Sequence, residues 1–204
     1  MAQVSTADIK KLREITGAGM SDVKKALIDN DGDIEKATDY LREKGLAGVA
    51  KRGVRSANNG LVHAYLHRTA KDLPPTVGVL LELNCETDFV AKNEAFGELA
   101  RKLALHIASA DPLYVSKEDV PPEVIEAECK IYEAAAREDG KPEAALAKIV
   151  DGRVQGYYKA VCLLEQAWVK DGKKTIAALL DEAASRLSEK IVVGRFVRYR
   201  VGQV

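Results

Sequence analysis

The segment with the clearest potential for function covers residues 85–92, between a predicted strand and a predicted helix. Such connections are a usual place for binding residues. The segment carries Phe89, one of three phenylalanines in the chain, directly after the charged Asp88. Phe89 could pack into the core while Asp88 ends the strand. Alternatively, the two could form an aromatic wedge with an adjacent acid, presented to a partner's groove, because large aromatic side chains often anchor interfaces.

Two histidines and a cysteine are the other groups that could do chemistry. His63 and His67 lie in a predicted strand, where four residues span about 13 Å. That is too far for two nitrogens that must each lie about 2 Å from one ion, so we expect a polar sheet surface and no metal site. Cys85 could be a nucleophile if a histidine approached it, but free cysteines are commonly small buried hydrophobic residues.

Signatures of enzymes are missing from the sequence. It contains no glycine-rich phosphate loop and no serine-hydrolase or zinc-protease motif. We therefore predict a protein that is not an enzyme and that holds no cofactor.

Composition narrows the class of protein further. The 204 residues are 47% apolar and 30% charged, as in a globular protein of one large domain or two small ones. Lysine plus arginine equals aspartate plus glutamate, at 31 each, so no basic field attracts nucleic acid. There is no secretory signal and no apolar stretch of roughly 18 residues, which argues against a membrane partner. The odd, widely spaced cysteines Cys85, Cys129 and Cys162 fit a reducing, cytoplasmic setting.

The sequence of residues 1–45 predicts a bundle of three short helices. Apolar residues recur at helical spacing in three groups, separated by turn signals at residues 16–19 and 30–33. Each helix is too short to be stable alone, so the three must share one core. Met20 could pack in that core or be an exposed, adaptable contact. The apolar residues of the three groups are Ile9, Leu12, Ile15, Met20, Val23, Ala26, Leu27, Ile34, Ala37 and Leu41.

Residues 46–58 are interpreted as a basic linker. Lys51, Arg52 and Arg55 lie here among glycines and without an acidic residue. A phosphate-binding patch is the alternative, but no aromatic residue for stacking is interleaved.

Residues 59–204 predict an α+β core. Residues 61–67 and 77–83 alternate with a period of two and should form an antiparallel pair of strands. Helices are expected over residues 93–108, after Pro122, after Pro142 and after Thr175, with strands at residues 161–169 and 191–201. Since strands and helices do not alternate regularly, the fold class is α+β: a three-helix bundle followed by a small antiparallel sheet with packed helices.

Two motifs closely resemble the translation elongation factor Ts family. They read LREITGAGM at residues 12–20 and NCETDFVAK at residues 84–92. Further similar segments read GDIEKA at residues 32–37, KIVDGR at residues 148–153 and CLLEQ at residues 162–166. The resemblance covers nearly the whole chain in order.

This resemblance implies a partner and a set of contact residues. The bundle would be ubiquitin-associated-like, and the partner would be the GTPase elongation factor Tu, with GDP and GTP bound only through that partner. Asp88 and Phe89, flanked by Thr87 and Val90, would press on the GTPase near its magnesium and phosphate site.

The resemblance also implies a second contact, made by the N-terminal module on the GTP-binding domain of the GTPase. The matching residues are Arg13 and Met20. Where some members carry a second methionine, this chain has Ser21, which makes that contact smaller.

The chain resembles the short form of the family, since it has one Thr-Asp-Phe-Val motif where longer members have two related core halves. A homodimer could supply the missing half. Two other functions stay open at this point: an adaptor that binds ubiquitin-like proteins or peptides through residues 1–45, and an enzyme that uses Cys85 with His63 or His67.

Overall fold

The computed structural model describes residues 4–16, 18–68, 70 and 72–203. It contains helices and a small sheet in the order expected for the α+β class, so that prediction is confirmed. The helices are α1 (Thr6–Thr16), α2 (Met20–Asp29), α3 (Ile34–Arg52), α4 (Asp88–Ala91), α5 (Glu94–Ala110), α6 (Pro122–Glu138), α7 (Glu143–Val161) and α8 (Ile176–Leu187). The strands are β1 (Asn59–His67), β2 (Val77–Cys85), β3 (Ala167–Trp168), β4 (Asp171–Thr175) and β5 (Val192–Arg200).

The described residues form two compact units. The first unit combines residues from 1–60, 84–96 and 180–192. The second unit combines residues from 61–83, 97–179 and 193–204. The candidate site lies in the first unit.

The three-helix bundle of the first unit has the core that helical spacing predicts. Its buried residues are Leu12, Val23, Ala26, Leu27, Ala37 and Leu41. Ser5 caps α1, since its hydroxyl accepts from the backbone N–H of Asp8 at 3.1 Å. Asp33 caps α3 by accepting from the amides of Glu35 and Lys36. The predicted turn at residues 16–19 includes Gly17, which lies outside the described residues.

Helix α3 is longer than its sequence pattern indicates. It ends at Arg52, so the first seven residues of the predicted linker, 46–52, are helical. Contacts with α8 explain this extension. A Cβ added at Gly45 would overlap Ser185 Oγ, so the glycine permits close approach of α3 to α8. Arg52 also donates to the backbone oxygen of Ala184 at 3.3 Å. The division of the chain at residues 45 and 58 stays a prediction.

A three-stranded sheet in the order β1-β2-β5 has most of its residues in the second unit. Thr76 N donates to His67 O at 3.2 Å, which closes the predicted hairpin between β1 and β2. One face of β2 is buried as expected, through Val77, Val79, Leu81 and Leu83. His63 and His67 are half-buried on β1.

The strand predicted over residues 161–169 is wrong for most of its length. Helix α7 runs to Val161, a single 3-10 turn covers Leu163–Glu165, and β3 holds only Ala167–Trp168. Tertiary hydrogen bonds fix this turn, since Gln166 Nε2 donates to the oxygen of Ala160 at 2.7 Å at the end of α7. The pattern of a short apolar run cannot separate a strand from a buried turn.

Buried polar contacts of the second unit centre on His106 of α5. Its Nε2 lies 2.9 Å from Gln166 Oε1, and its Nδ1 accepts from the amide of Val169 at 3.3 Å. This pattern assigns the proton of a neutral ring to Nε2. Burial lowers the pKa of His106.

Candidate functional site

The candidate site covers residues 86–92, where β2 passes into the short helix α4. These residues are called the exchange segment, after the contact with a GTPase that the family resemblance implies for them. Thr87 is the N-cap of α4, with an extended backbone, φ −124° and ψ 158°. Its side-chain oxygen accepts from the amide of Val90 at 3.4 Å. Helix α4 has only four residues and was not predicted, because one helical turn leaves no periodic pattern in the sequence.

Phe89 is exposed over 81% of its surface. The interpretation that places its ring in the core is therefore wrong. A large apolar side chain that its own fold does not bury is informative when it sits beside charged groups on a connection between elements. Its contact with a partner remains a prediction.

Asp88 presents a carboxylate next to this ring. Its Oδ2 lies 2.7 Å from Lys92 Nζ, one helical turn further on, and 54% of its side chain is exposed. The hydrogen bond from Lys92 lowers the pKa of Asp88, so the carboxylate is charged at neutral pH. An exposed pair of this kind contributes little to stability, so the Asp88 carboxylate can leave Lys92 at small cost.

Glu189, in the connection between α8 and β5, holds the start of the exchange segment. Its Oε2 accepts from the amides of Glu86 at 3.0 Å and Thr87 at 3.1 Å. Its Oε1 accepts from the Thr87 hydroxyl at 2.6 Å. Sequence reasoning missed Glu189 because nothing in its neighbourhood distinguishes it from the other carboxylates, and 102 residues separate it from Thr87.

A second set of contacts surrounds Glu86. Its Oε1 accepts from the amide of Lys190 at 2.7 Å, and its Oε2 lies 3.2 Å from Arg55 Nη1. The hydrogen bond from Lys190 lowers the pKa of Glu86. Lys190 Nζ in turn donates to the backbone oxygens of Gly53 and Arg55, at 2.7 and 2.9 Å. The end of α3 is thereby bound to the residues that carry the exchange segment.

Arg13 and Met20 lie elsewhere in the first unit. Arg13 is exposed in the last turn of α1, and Met20 begins α2 with 55% of its surface exposed. The interpretation that packs Met20 in the core is therefore wrong. Both side chains are available for a contact outside the chain.

Cys85 has a structural contact. The side chain is buried, and its Sγ donates to the backbone oxygen of Thr87 at 3.2 Å. Burial raises the pKa of the thiol, so it stays protonated and weakly nucleophilic at neutral pH. Within the part of the chain that the structure describes, no cluster of His, Cys, Asp or Glu is arranged to hold a metal ion.

None of the described helices is both long enough and apolar enough to cross a membrane.

Known proteins resemble this chain along its whole length. The family model described as Elongation factor TS matches residues 2–203. A protein named Elongation factor Ts from Frankia casuarinae is 70% identical over 203 residues, which cover 100% of both chains. The protein of the same name from Moorella thermoacetica is 52% identical over 200 residues, which cover 98% of this chain and 96% of that protein.

Proposed function

We propose that this chain, which belongs to the elongation factor Ts family, promotes the release of GDP from the GTPase elongation factor Tu during protein synthesis in the cytoplasm. It would act by binding alone, without a cofactor or a covalent step of its own. GDP and GTP would meet it only through the GTPase. Since the family match covers nearly the whole chain, it favours this function over an adaptor that works through the bundle alone.

The exposed ring of Phe89 carries the proposal. A GTPase holds GDP through magnesium and through backbone amides around the phosphates. Phe89 would enter an apolar cleft of the GTPase, and Asp88 would supply a competing polar contact. The resulting shift would disturb the magnesium and phosphate site, helped by Thr87 and Val90, which shape the turn.

Arg13 and Met20 would form the second contact, on the GTP-binding domain. Their exposure on α1 and α2 is what this contact requires. Together the two contacts would stabilise the nucleotide-free GTPase.

Thermodynamic linkage limits what such a protein does. If this chain weakens the binding of GDP to the GTPase, then GDP weakens the binding of this chain to the GTPase by the same factor. It therefore speeds exchange, and the concentrations of GTP and GDP set the outcome.

Release of labelled GDP from elongation factor Tu tests the proposal. The chain should accelerate release, and Phe89→Ala should slow the accelerated release at least ~10-fold at limiting factor, because a buried aromatic anchor contributes about 2 kcal/mol or more. Leu113→Ala is a matched control, since Leu113 is also exposed, at 61%, but lies in the second unit. If the wild-type chain does not accelerate release, this function is wrong. If the wild type and Phe89→Ala accelerate release equally, the role of Phe89 is wrong.

A homodimer is part of the proposal. The sheet of the second unit has an apolar outer face, defined here by Val62 and Leu66 on β1, Leu80 on β2, and Val197 and Tyr199 on β5. Their exposed fractions are 69%, 62%, 49%, 39% and 73%. Monomeric proteins rarely expose large continuous apolar patches. A second copy would cover this face in an isologous contact and supply the core half that longer members carry in one chain.

A further inference from the structure

We infer that Glu189 is a positioning residue for nucleotide exchange: it fixes the backbone of the exchange segment, so that the Cα–Cβ bond of Phe89 points in one direction before the GTPase binds. The inference rests on the proposed function. It assigns to Glu189 a role that acts through Phe89 and not through contact with the GTPase.

The Phe89 ring is not held by packing against its own fold. Because 81% of its surface is exposed, its ring has little packing from its own fold. The backbone that carries the ring therefore sets where its Cβ points and which rotamers the ring can adopt. That backbone belongs to α4, a four-residue helix that is too short to be stable by its own hydrogen bonds.

Glu189 fixes the backbone of the exchange segment at its first two residues, Glu86 and Thr87. One carboxylate accepts three hydrogen bonds, from the amides of Glu86 and Thr87 and from the Thr87 hydroxyl. Hydrogen bonds to an ionised acceptor are about twice as strong as neutral ones. The bond to the hydroxyl also sets the side chain of Thr87, whose oxygen caps α4 at the amide of Val90.

Glu189 is itself held in place through the contacts of its neighbour in the chain. The next residue, Lys190, donates its amide to Glu86 Oε1 and its ammonium group to the oxygens of Gly53 and Arg55. Glu189 and Glu86 thus form a reciprocal pair: Glu189 accepts from the amides of Glu86 and Thr87, and Glu86 accepts from the amide of Lys190. Through Lys190, this set of hydrogen bonds, called the Glu189 clamp, is connected to the turn that directly follows α3.

The consequence is a defined kinetic effect. A side chain that must be ordered during binding loses part of its binding energy to that ordering. Without the hydrogen bonds of Glu189, the complex with the GTPase would still form through Arg13 and Met20. Phe89 would reach its productive position less often. The maximal rate of GDP release should fall more than the affinity for the GTPase.

Hydrogen exchange in the free protein tests the clamp without any partner. In Glu189→Ala, the amides of Glu86 and Thr87 should exchange roughly 10-fold faster or more than in the wild type, because a charged acceptor is lost. Glu126→Ala is the matched control, since Glu126 is exposed in α6. Unchanged exchange at Glu86 and Thr87 would overturn the inference.

A double-variant comparison tests the route through Phe89. Glu189→Ala should lower the maximal rate of GDP release roughly 10-fold, but should change it less than about 2-fold when Phe89→Ala is already present. Equal effects in both backgrounds would overturn the inference. If Glu189→Ala does not fold, Glu189→Gln replaces it, because the amide oxygen can still accept while the amide nitrogen cannot.

The two proposals fail separately. If the wild-type chain does not accelerate GDP release, the proposed function is wrong, and hydrogen exchange still decides whether Glu189 fixes the segment. If the wild type accelerates release and Glu189→Ala matches it, only the positioning role is wrong.

Discussion

Phe89 and Phe96 are seven residues apart, yet their environments differ completely. Phe89 is 81% exposed on α4, and Phe96 is fully buried in α5. Residue type and local pattern do not separate these two cases, which is why both interpretations of Phe89 stayed open in the sequence. Burial depends on which way the short helix turns. Two hydrogen bonds of Thr87 set that direction: its hydroxyl donates to Glu189, and its backbone oxygen accepts from the Cys85 thiol.

We expect the two phenylalanines to respond oppositely to truncation. Phe89→Ala should change the free energy of unfolding by less than about 0.5 kcal/mol, as for an exposed surface residue. Phe96→Ala should lower it by about 3–5 kcal/mol, because it leaves a cavity. Urea unfolding followed by the fluorescence of Trp168, the single tryptophan, measures both. A large loss in Phe89→Ala would show that the ring supports its own fold.

His106 should make the free energy of unfolding depend on pH, with a sign that follows from its burial. Burial lowers its pKa in the folded state below the ordinary value of 6.5, so the unfolded chain binds the proton more readily. Stability from this group is complete above about pH 6.5 and falls as the pH drops below it, by at most about 1.4 kcal/mol per pH unit.

Unfolding measured in urea between pH 5.5 and 7.5 checks this prediction. The decrease in the free energy of unfolding with falling pH should disappear in His106→Asn, although that variant is less stable at every pH. It should persist in His63→Gln, where His106 is intact. A wild-type slope of the opposite sign would contradict the assignment of a neutral ring.

At the scale of elements, short-range patterns predicted the helices well and long-range contacts decided their ends. The core of α1–α3 matches helical spacing because neighbouring turns bury the same face. Asn93 caps α5 at the start of the predicted helix, accepting from the amide of Ala95. The end of α3 was missed because it depends on Ser185 and Ala184 of α8, more than 130 residues further along the chain.

Because α3 and α8 approach closely at Gly45, replacing this helical glycine with alanine should destabilise the protein. Gly45→Ala should lower the free energy of unfolding by about 1 kcal/mol or more, because overlap with Ser185 outweighs the gain in helix propensity. Gly156→Ala, in the interior of α7, is the matched control. A Cβ there meets nothing within 4 Å, so it should raise the free energy of unfolding by roughly 0.5–1 kcal/mol.

Ser185→Ala provides the second arm of this experiment. It removes the oxygen that a Cβ at Gly45 would meet, so it should restore part of the loss in the double variant. Stabilisation by Gly45→Ala alone would contradict the close approach.

At the scale of the whole molecule, the outer face of the sheet predicts self-association. Leu80→Glu places a charge at the centre of that face and should shift the chain from dimer to monomer in sedimentation velocity. Ile131→Glu is the control, since Ile131 is 59% exposed on α6. A wild-type chain that stays monomeric at high concentration would contradict the homodimer.

The whole-molecule inference from sequence came from two long motifs rather than from physical patterning. Composition and periodicity lead to an α+β protein without an enzyme signature, and they give no partner. The motifs at residues 12–20 and 84–92 suggested the family, and the match over residues 2–203 agrees with it. Physical reasoning then contributed what the motifs leave out, namely how Glu189 and Glu86 hold the segment.

An exposed aromatic ring that its own chain does not need has a genetic consequence. A cell that carries a substitution at Phe89 would still make a folded protein, and a folded protein resists degradation by proteases. That protein would still occupy the GTPase through its remaining contacts and would keep intact copies away. Substitutions at Phe89 should therefore behave as dominant inhibitors of growth, whereas substitutions that unfold the chain should be recessive.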